Sequence, residues 1–224
     1  MFEKYSGGGM SQSFSDTAII ACGTMSLELN ALKQEGFLDT AHLFYTTPGL
    51  HQDIKELENQ LIQRIQKVKQ VVNKVIVVYG GKFCYVNSDE PLRTMQTIID
   101  QQGEGIVRID ATHCMDMLAT EDERAQIAQE MAGDEKVWWM TSGWVKFRKQ
   151  VFDGWDKALA NENFPKHTGG AIVLDAIGYM DQYMADHPDD FLEYCDWMGI
   201  PMQSYNVSLD RFKSLLRECQ TNLI

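Results

Sequence analysis

The sequence lacks most of the features that would assign it at once. No stretch approaches the ~18 consecutive apolar residues of a membrane-spanning helix. No basic-then-apolar segment of the secretory kind stands at the start, so the expected setting is the cytoplasm, with no membrane partner. Basic residues are in the minority, 20 Lys and Arg against 32 Asp and Glu, for a formal net charge of -12. A chain this acidic has no cationic excess to neutralise a phosphate backbone, which argues against nucleic acid as a partner. Neither a P-loop nor a GxGxxG run is present, so nothing in the glycines points to a nucleotide fingerprint. Cysteine is scarce as well: Cys22, Cys84, Cys114, Cys195 and Cys219 make an odd count, with no CxxC pair. That excludes a local zinc knuckle and a disulfide framework, and leaves thiols available to a metal or to chemistry. No Pro/Gly/Ser-rich linker divides the chain, which predicts a single domain over residues 17–224 behind a Gly/Ser-rich flexible arm over residues 1–16.

What is present is a repeated grammar of apolar strand, loop and helix. Val75 to Val78 are four consecutive β-branched residues, too short for a buried helix, and predict a parallel strand buried on both faces. It ends at Tyr79-Gly80-Gly81, with Cys84 inside the turn. Further strands are predicted at Thr17–Ala21, His42–Tyr45, Gly105–Ile109, Lys136–Met140, Gly169–Leu174 and Gln203–Val207. Between them, helical periodicity predicts Ser26–Gln34, a long helix capped by Asp53, Pro91–Gln101, Thr120–Ala132, Val145–Asn161, Tyr179–Met198 and a last helix from Leu209. The alternation predicts an α/β fold: a parallel sheet of strand-loop-helix units with helices on both faces, Rossmann-like.

Three of the predicted strand-end loops carry a cysteine: Cys22, Cys84 and Cys114. If their strands are parallel neighbours, all three loops lie on one edge of the sheet, where α/β proteins bind ligands. Three thiolates suit a soft metal or an iron–sulfur cluster and leave one coordination position open to a substrate. A [4Fe-4S] cluster is the first choice and zinc its alternative; the layout resembles that of quinolinate synthase, which holds a cluster with one free iron. Free cysteine is also among the most buried residue types, so a core role stands beside this reading. His113 reads as a proton donor, a fourth ligand or a backbone-bonding histidine. His51 either faces the same edge or caps a solvated helix start; together the two histidines are the catalytic candidates. Tyr79 and Trp144 are candidates to wall a small-molecule pocket, and Gly23, Gly80 and Gly81 to let a cofactor approach the backbone. Asp175 reads as a ligand contact or a helix cap. Cys195 and Cys219 fall on helical stretches and are expected to be structural.

Five elements in order carry a family resemblance: Ala21-Cys22-Gly23, Leu50-His51, Tyr79-Gly80 with Cys84, His113-Cys114, and Thr141 with Gly143-Trp144. This run resembles the domain-of-unknown-function 1638 family, whose members tend to have the second cysteine nearer Tyr-Gly, and Asp in place of His113. The resemblance implies a role near corrinoid-dependent methyl transfer in anaerobic one-carbon metabolism. Under it the protein is a metal- or cluster-dependent lyase or methyl-group transferase acting on a small molecule. The alternative is a non-catalytic accessory protein with a structural zinc that binds a corrinoid protein or a methyltransferase.

Overall fold

Side chains along β1 (Thr17–Ala21) alternate between two apolar layers, as the two-residue period of a strand requires. Ile19 and Ala21 enter one core cluster, Ala18 and Ile20 another on the opposite face. β1 is therefore the inner strand of a covered sheet. It pairs in parallel with β2 (His42–Tyr45) on one side and β3 (Lys74–Val78) on the other, and β3 pairs with β4 (Ile106–Arg108). The order is β2-β1-β3-β4. β5 (Trp138–Thr141), β6 (Ala171–Asp175) and β7 (Met202–Asn206) form a second parallel sheet in the order β5-β6-β7. These are features of a computed structural model that describes residues 13–223.

The α/β class, the parallel pairing and the surrounding helices agree with the sequence reading. The strands nevertheless divide between two sheets rather than sharing one. Both sheets contribute to one central cluster: Ile76 and Val78 from the first and Ile172 and Leu174 from the second meet around Phe212 and Leu216 of the last helix, α10 (Asp210–Thr221). The outer face of the first sheet is covered by α2 (Ile54–Val68), whose Leu57, Leu61, Ile65 and Val68 follow the helical period, and by α3 (Met95–Asp100). α1 (Ser26–Gln34) and α4 (Glu121–Ala132) complete the first half. On the second sheet, Met140, Ala171 and Val173 meet the helices that follow β5 and β6.

Two expected helices are broken. The stretch 145–161 becomes α5 (Ser142–Lys146), α6 (Arg148–Val151) and α7 (Lys157–Asn163). Gly154 turns at φ 77°, and Asp156 caps α7 by accepting from the Leu159 amide. The stretch 179–198 becomes α8 (Tyr179–Asp186) and α9 (Pro188–Met198), because Pro188 forces His187 out of the helical region, to φ -137° and ψ 55°. Only the last residues of the expected arm are described. Residues 1–12 lie outside the described residues, but Phe14 is buried against Phe37 and its amide donates to Asp39. Among the described residues no helix is long and apolar enough to cross a membrane.

Candidate functional site

The carboxyl ends of β1 to β5 lead to one cavity of about 330 Å³. In the first sheet the chain goes from β1 to one neighbour, β2, and then crosses to the other side for β3. The gap between β1 and β3 is thus the switch point at which open α/β sheets bind ligands. Cys22 follows β1 directly, and its amide donates to Val78 O of β3 at 3.3 Å. Cys84 lies in the loop after β3 and Cys114 in the loop after β4, and all three line the cavity.

Glycine makes this convergence possible. A Cβ on Gly80 would stand 2.5 Å from His113 Cα, so the loops after β3 and β4 touch backbone to backbone. Gly81 N donates to Ala111 O at 2.9 Å, and Lys82 N to Thr112 O at 3.2 Å, which zips the two loops together and sets Cys84 against Cys114. His51 arrives on a short turn after β2, and its ring stacks on Trp144 of α5 with centroids 5.5 Å apart.

The electrostatics are those of an apolar site with neutral side chains. Burial raises the Cys22 thiol above its usual range, opposed by the Thr24 hydroxyl 3.1 Å away, the Thr24 amide and the Tyr79 hydroxyl. Burial and the neighbouring Cys22 push Cys84 up to about 12, although the Gly80 and Cys114 amides favour its thiolate. Burial, then Cys84 and Cys22, hold Cys114 well above a normal thiol, against a hydrogen bond from the Trp144 indole. Burial lowers both histidines, His113 further through Arg124, which keeps the imidazoles neutral. His113 Nδ1 accepts from the Asp116 amide at 3.1 Å, which leaves its proton on Nε2. Among the described residues no carboxylate, lysine or arginine lines the cavity.

Of the expected site residues, Cys22, Cys84, Cys114, His51, His113, Tyr79, Gly80 and Trp144 come together here. Gly23, Gly81 and Asp175 do not line it. Gly23 is needed for packing, since a Cβ would lie 2.6 Å from Thr46 O. Asp175 is a cap: it accepts from Ser142 Oγ at 3.0 Å and from the Ile177, Tyr179 and Met180 amides at 3.1, 3.2 and 2.8 Å. Of the two roles expected for Asp175, these bonds are those of the helix cap. Cys195 and Cys219 lie on α9 and α10 and do not line the cavity either. Sequence reasoning missed Thr24, whose hydroxyl meets Cys22, and the Trp138-Trp139 wall. It also missed Glu28 on α1, fully buried, with neither carboxylate oxygen hydrogen-bonded to another described residue.

A family model described as protein of unknown function (DUF1638) matches residues 45–216. The chain belongs to the DUF1638 family. The stretch shared with DUF1638 holds Cys84, Cys114 and both cavity histidines and begins downstream of Cys22. No curated protein and no solved structure matches the chain.

The donor chemistry of the cavity fits a soft metal or cluster. Sulfur ligands select such centres, and each of the three sulfurs has an N–H or O–H donor beside it, as metal-bound thiolates commonly do. The side chains do not form a closed ligand set: among the described residues no three His, Cys, Asp or Glu groups stand close enough to hold a metal ion. The expected meeting of the sulfurs at one point is thus a meeting around one cavity.

Proposed function

We propose that Cys22, Cys84 and Cys114 hold a metal centre, foremost a [4Fe-4S] cluster with an open position, and that the protein acts on a small molecule in corrinoid-linked one-carbon metabolism. The observation that carries this reading is the opening of three strand-end cysteines onto one apolar cavity, with the Thr24 hydroxyl 3.1 Å from the Cys22 sulfur. Neutral thiols with raised pKa values are poor nucleophiles on their own. A bound cation makes their deprotonation favourable, because it supplies the charge that the apolar wall lacks. Such a centre, when bound, supplies Lewis acidity at its open position. His113 then serves as proton donor through Nε2, with His51 and Trp144 closing one wall. A zinc site with His113 as fourth ligand has less support, since coordination through Nε2 would require a proton on Nδ1, which accepts from Asp116.

The test is metal and sulfide analysis with a visible spectrum on protein purified without oxygen. Absorption near ~400 nm with bound iron is the expected result. Colourless protein with stoichiometric zinc would favour the accessory reading, in which a corrinoid protein or methyltransferase is the partner. Cys114→Ser should lose the metal, because a hydroxyl coordinates soft metals far more weakly than a thiolate. Cys195→Ser should keep it and cost at most ~1–3 kcal/mol of stability, and His113→Ala should keep it too. Trp144→Phe, which removes the indole N–H beside Cys114 and trims the ring stacked on His51, should weaken binding by ~10-fold or more. Equal metal content in Cys114→Ser and the unaltered protein overturns the site.

A further inference from the structure

The loops that wall the thiol cavity have a second side. Gly80, Cys84, His113 and Cys114 face the cavity, while their neighbours Gly81, Lys82, Thr112 and Asp116 line a groove of about 830 Å³. In a chain of net charge -12 this groove collects four cations, Lys82, Arg93, Arg108 and Arg211, against two acids, Asp110 and Asp116.

The charges are not all spent. Arg93 is neutralised by Glu58, to which its Nε donates at 3.0 Å. Asp116 is divided between Arg211, 3.1 Å from Oδ1, and Arg124 at 3.7 Å, while its Oδ2 accepts from the Thr112 amide and hydroxyl. Lys82 and Arg108 have no carboxylate partner among the described residues.

Arg108 is also held in place. Its Nη1 donates to Tyr79 O, Ile109 O and Ala111 O at 3.2, 2.6 and 3.1 Å, and its Nε to Gln96 Oε1 at 3.2 Å. Nη2 has no acceptor among the described residues and sits 2.8 Å from where a Gly81 Cβ would be. Glycine at position 81 therefore makes room for this guanidinium. A fixed guanidinium with a free N–H edge, in a groove that a lysine and a second arginine also line, offers the donors that phosphate oxygens use.

We propose that this groove binds a phosphate ester with a hydroxylated body, its phosphate held by Lys82, Arg108 and Arg211. The volume exceeds what an inorganic anion needs and falls in the range of small-molecule sites. Ser88 in the lining provides a neutral hydroxyl for the body of such a ligand. The proposal does not need the metal: none of the three cations lines the cavity, although the Arg108 charge also favours the Cys84 thiolate.

Calorimetry of the unaltered protein with ribose 5-phosphate, adenosine monophosphate, inorganic phosphate and ribose tests it. At least one ester should bind saturably, more tightly than phosphate, with affinity falling as salt rises. Lys82→Glu and Arg211→Gln should each weaken binding by roughly 10-fold or more, the worth of a charge-assisted hydrogen bond. Arg108→Lys should do the same by losing the planar fork. If that variant fails to fold, the exposed Lys82 decides alone. Metal content in Lys82→Glu should match the unaltered protein, which separates failure here from failure of the thiol site. Absence of binding by both esters, ribose binding as well as its phosphate, or undiminished binding in Lys82→Glu overturns the proposal.

Discussion

Glu28→Gln should remove a pH-dependent loss of stability that the unaltered protein shows between about pH 5 and pH 8. Glu28 is fully buried on α1, and among the other described residues neither oxygen has a hydrogen-bond partner. Burial, opposed by its own backbone amide and reinforced by the charge of Asp175, raises its pKa from 4.5 to about 8. The folded acid thus keeps its proton in a range where the unfolded chain has released it. Below pH 4.5 both states are protonated and the buried acid carries no ionisation penalty. As pH rises towards 8, ionisation increasingly favours the unfolded chain, so stability falls. At about 1.4 kcal/mol per unit, the full loss is roughly 5 kcal/mol. Glutamine cannot ionise and bears only an unpaired amide, at ~1–3 kcal/mol. At about pH 8 the variant should therefore be the more stable by a few kcal/mol, and near pH 5 no better than the unaltered protein. Tyr45 and Cys114 feel the same carboxylate but remain protonated across this range, their own pKa values being raised by burial. Urea unfolding of both proteins across that range measures the difference directly. A difference that stays constant with pH would show that Glu28 ionises in the folded chain as it does in water.

Much of the fold was legible because strands and thiols have local signatures. Runs such as Val75–Val78 are β-branched and continuous, which only a strand covered on both faces tolerates. The position of each cysteine just past a strand then follows from counting residues, and parallel pairing brings the three ends to one edge. The division into two sheets was not legible, because periodicity reports which face is buried and not which strand is the hydrogen-bonding partner. The break at Pro188 had a signal in the sequence, as proline removes a donor and restricts the residue before it. Asp175 satisfied both readings from sequence, since a carboxylate at a strand end caps a helix as readily as it meets a ligand; four donors around it decide for the cap. Glu28 carried no signal at all. A glutamate in the first turn of an amphipathic helix normally faces water, and only the packing of the two halves encloses it. The same holds for Gly81, whose partner Arg108 is distant in sequence and meets it only through the β3-β4 pairing.

Gly143→Ala should damage the fold and the thiol site together. Gly143 lies at the start of α5, immediately after β5, where the second sheet's first helix meets the turn that follows Cys22. A Cβ there would stand 1.7 Å from Thr24 O and 2.6 Å from Thr24 C, an overlap with backbone that no rotamer relieves. Either α5 or the Gly23–Met25 turn must move. The first displaces Trp144, the donor to Cys114 and the ring stacked on His51; the second displaces Thr24, whose hydroxyl lies 3.1 Å from Cys22. Overpacking of this kind costs ~3 kcal/mol or more when the obstacle is main chain. Gly36→Ala is the control: it sits at φ 76° with nothing within 4 Å, so alanine there bears only the left-handed backbone penalty of ~1–2 kcal/mol. Denaturant unfolding should rank Gly143→Ala well below Gly36→Ala, and metal uptake should fall in the first and persist in the second. If Gly143→Ala proves as stable as the control, the two halves can part at this seam without loss. If it is unstable yet still takes up metal, the three cysteines hold their ligand without the support of Thr24 and Trp144.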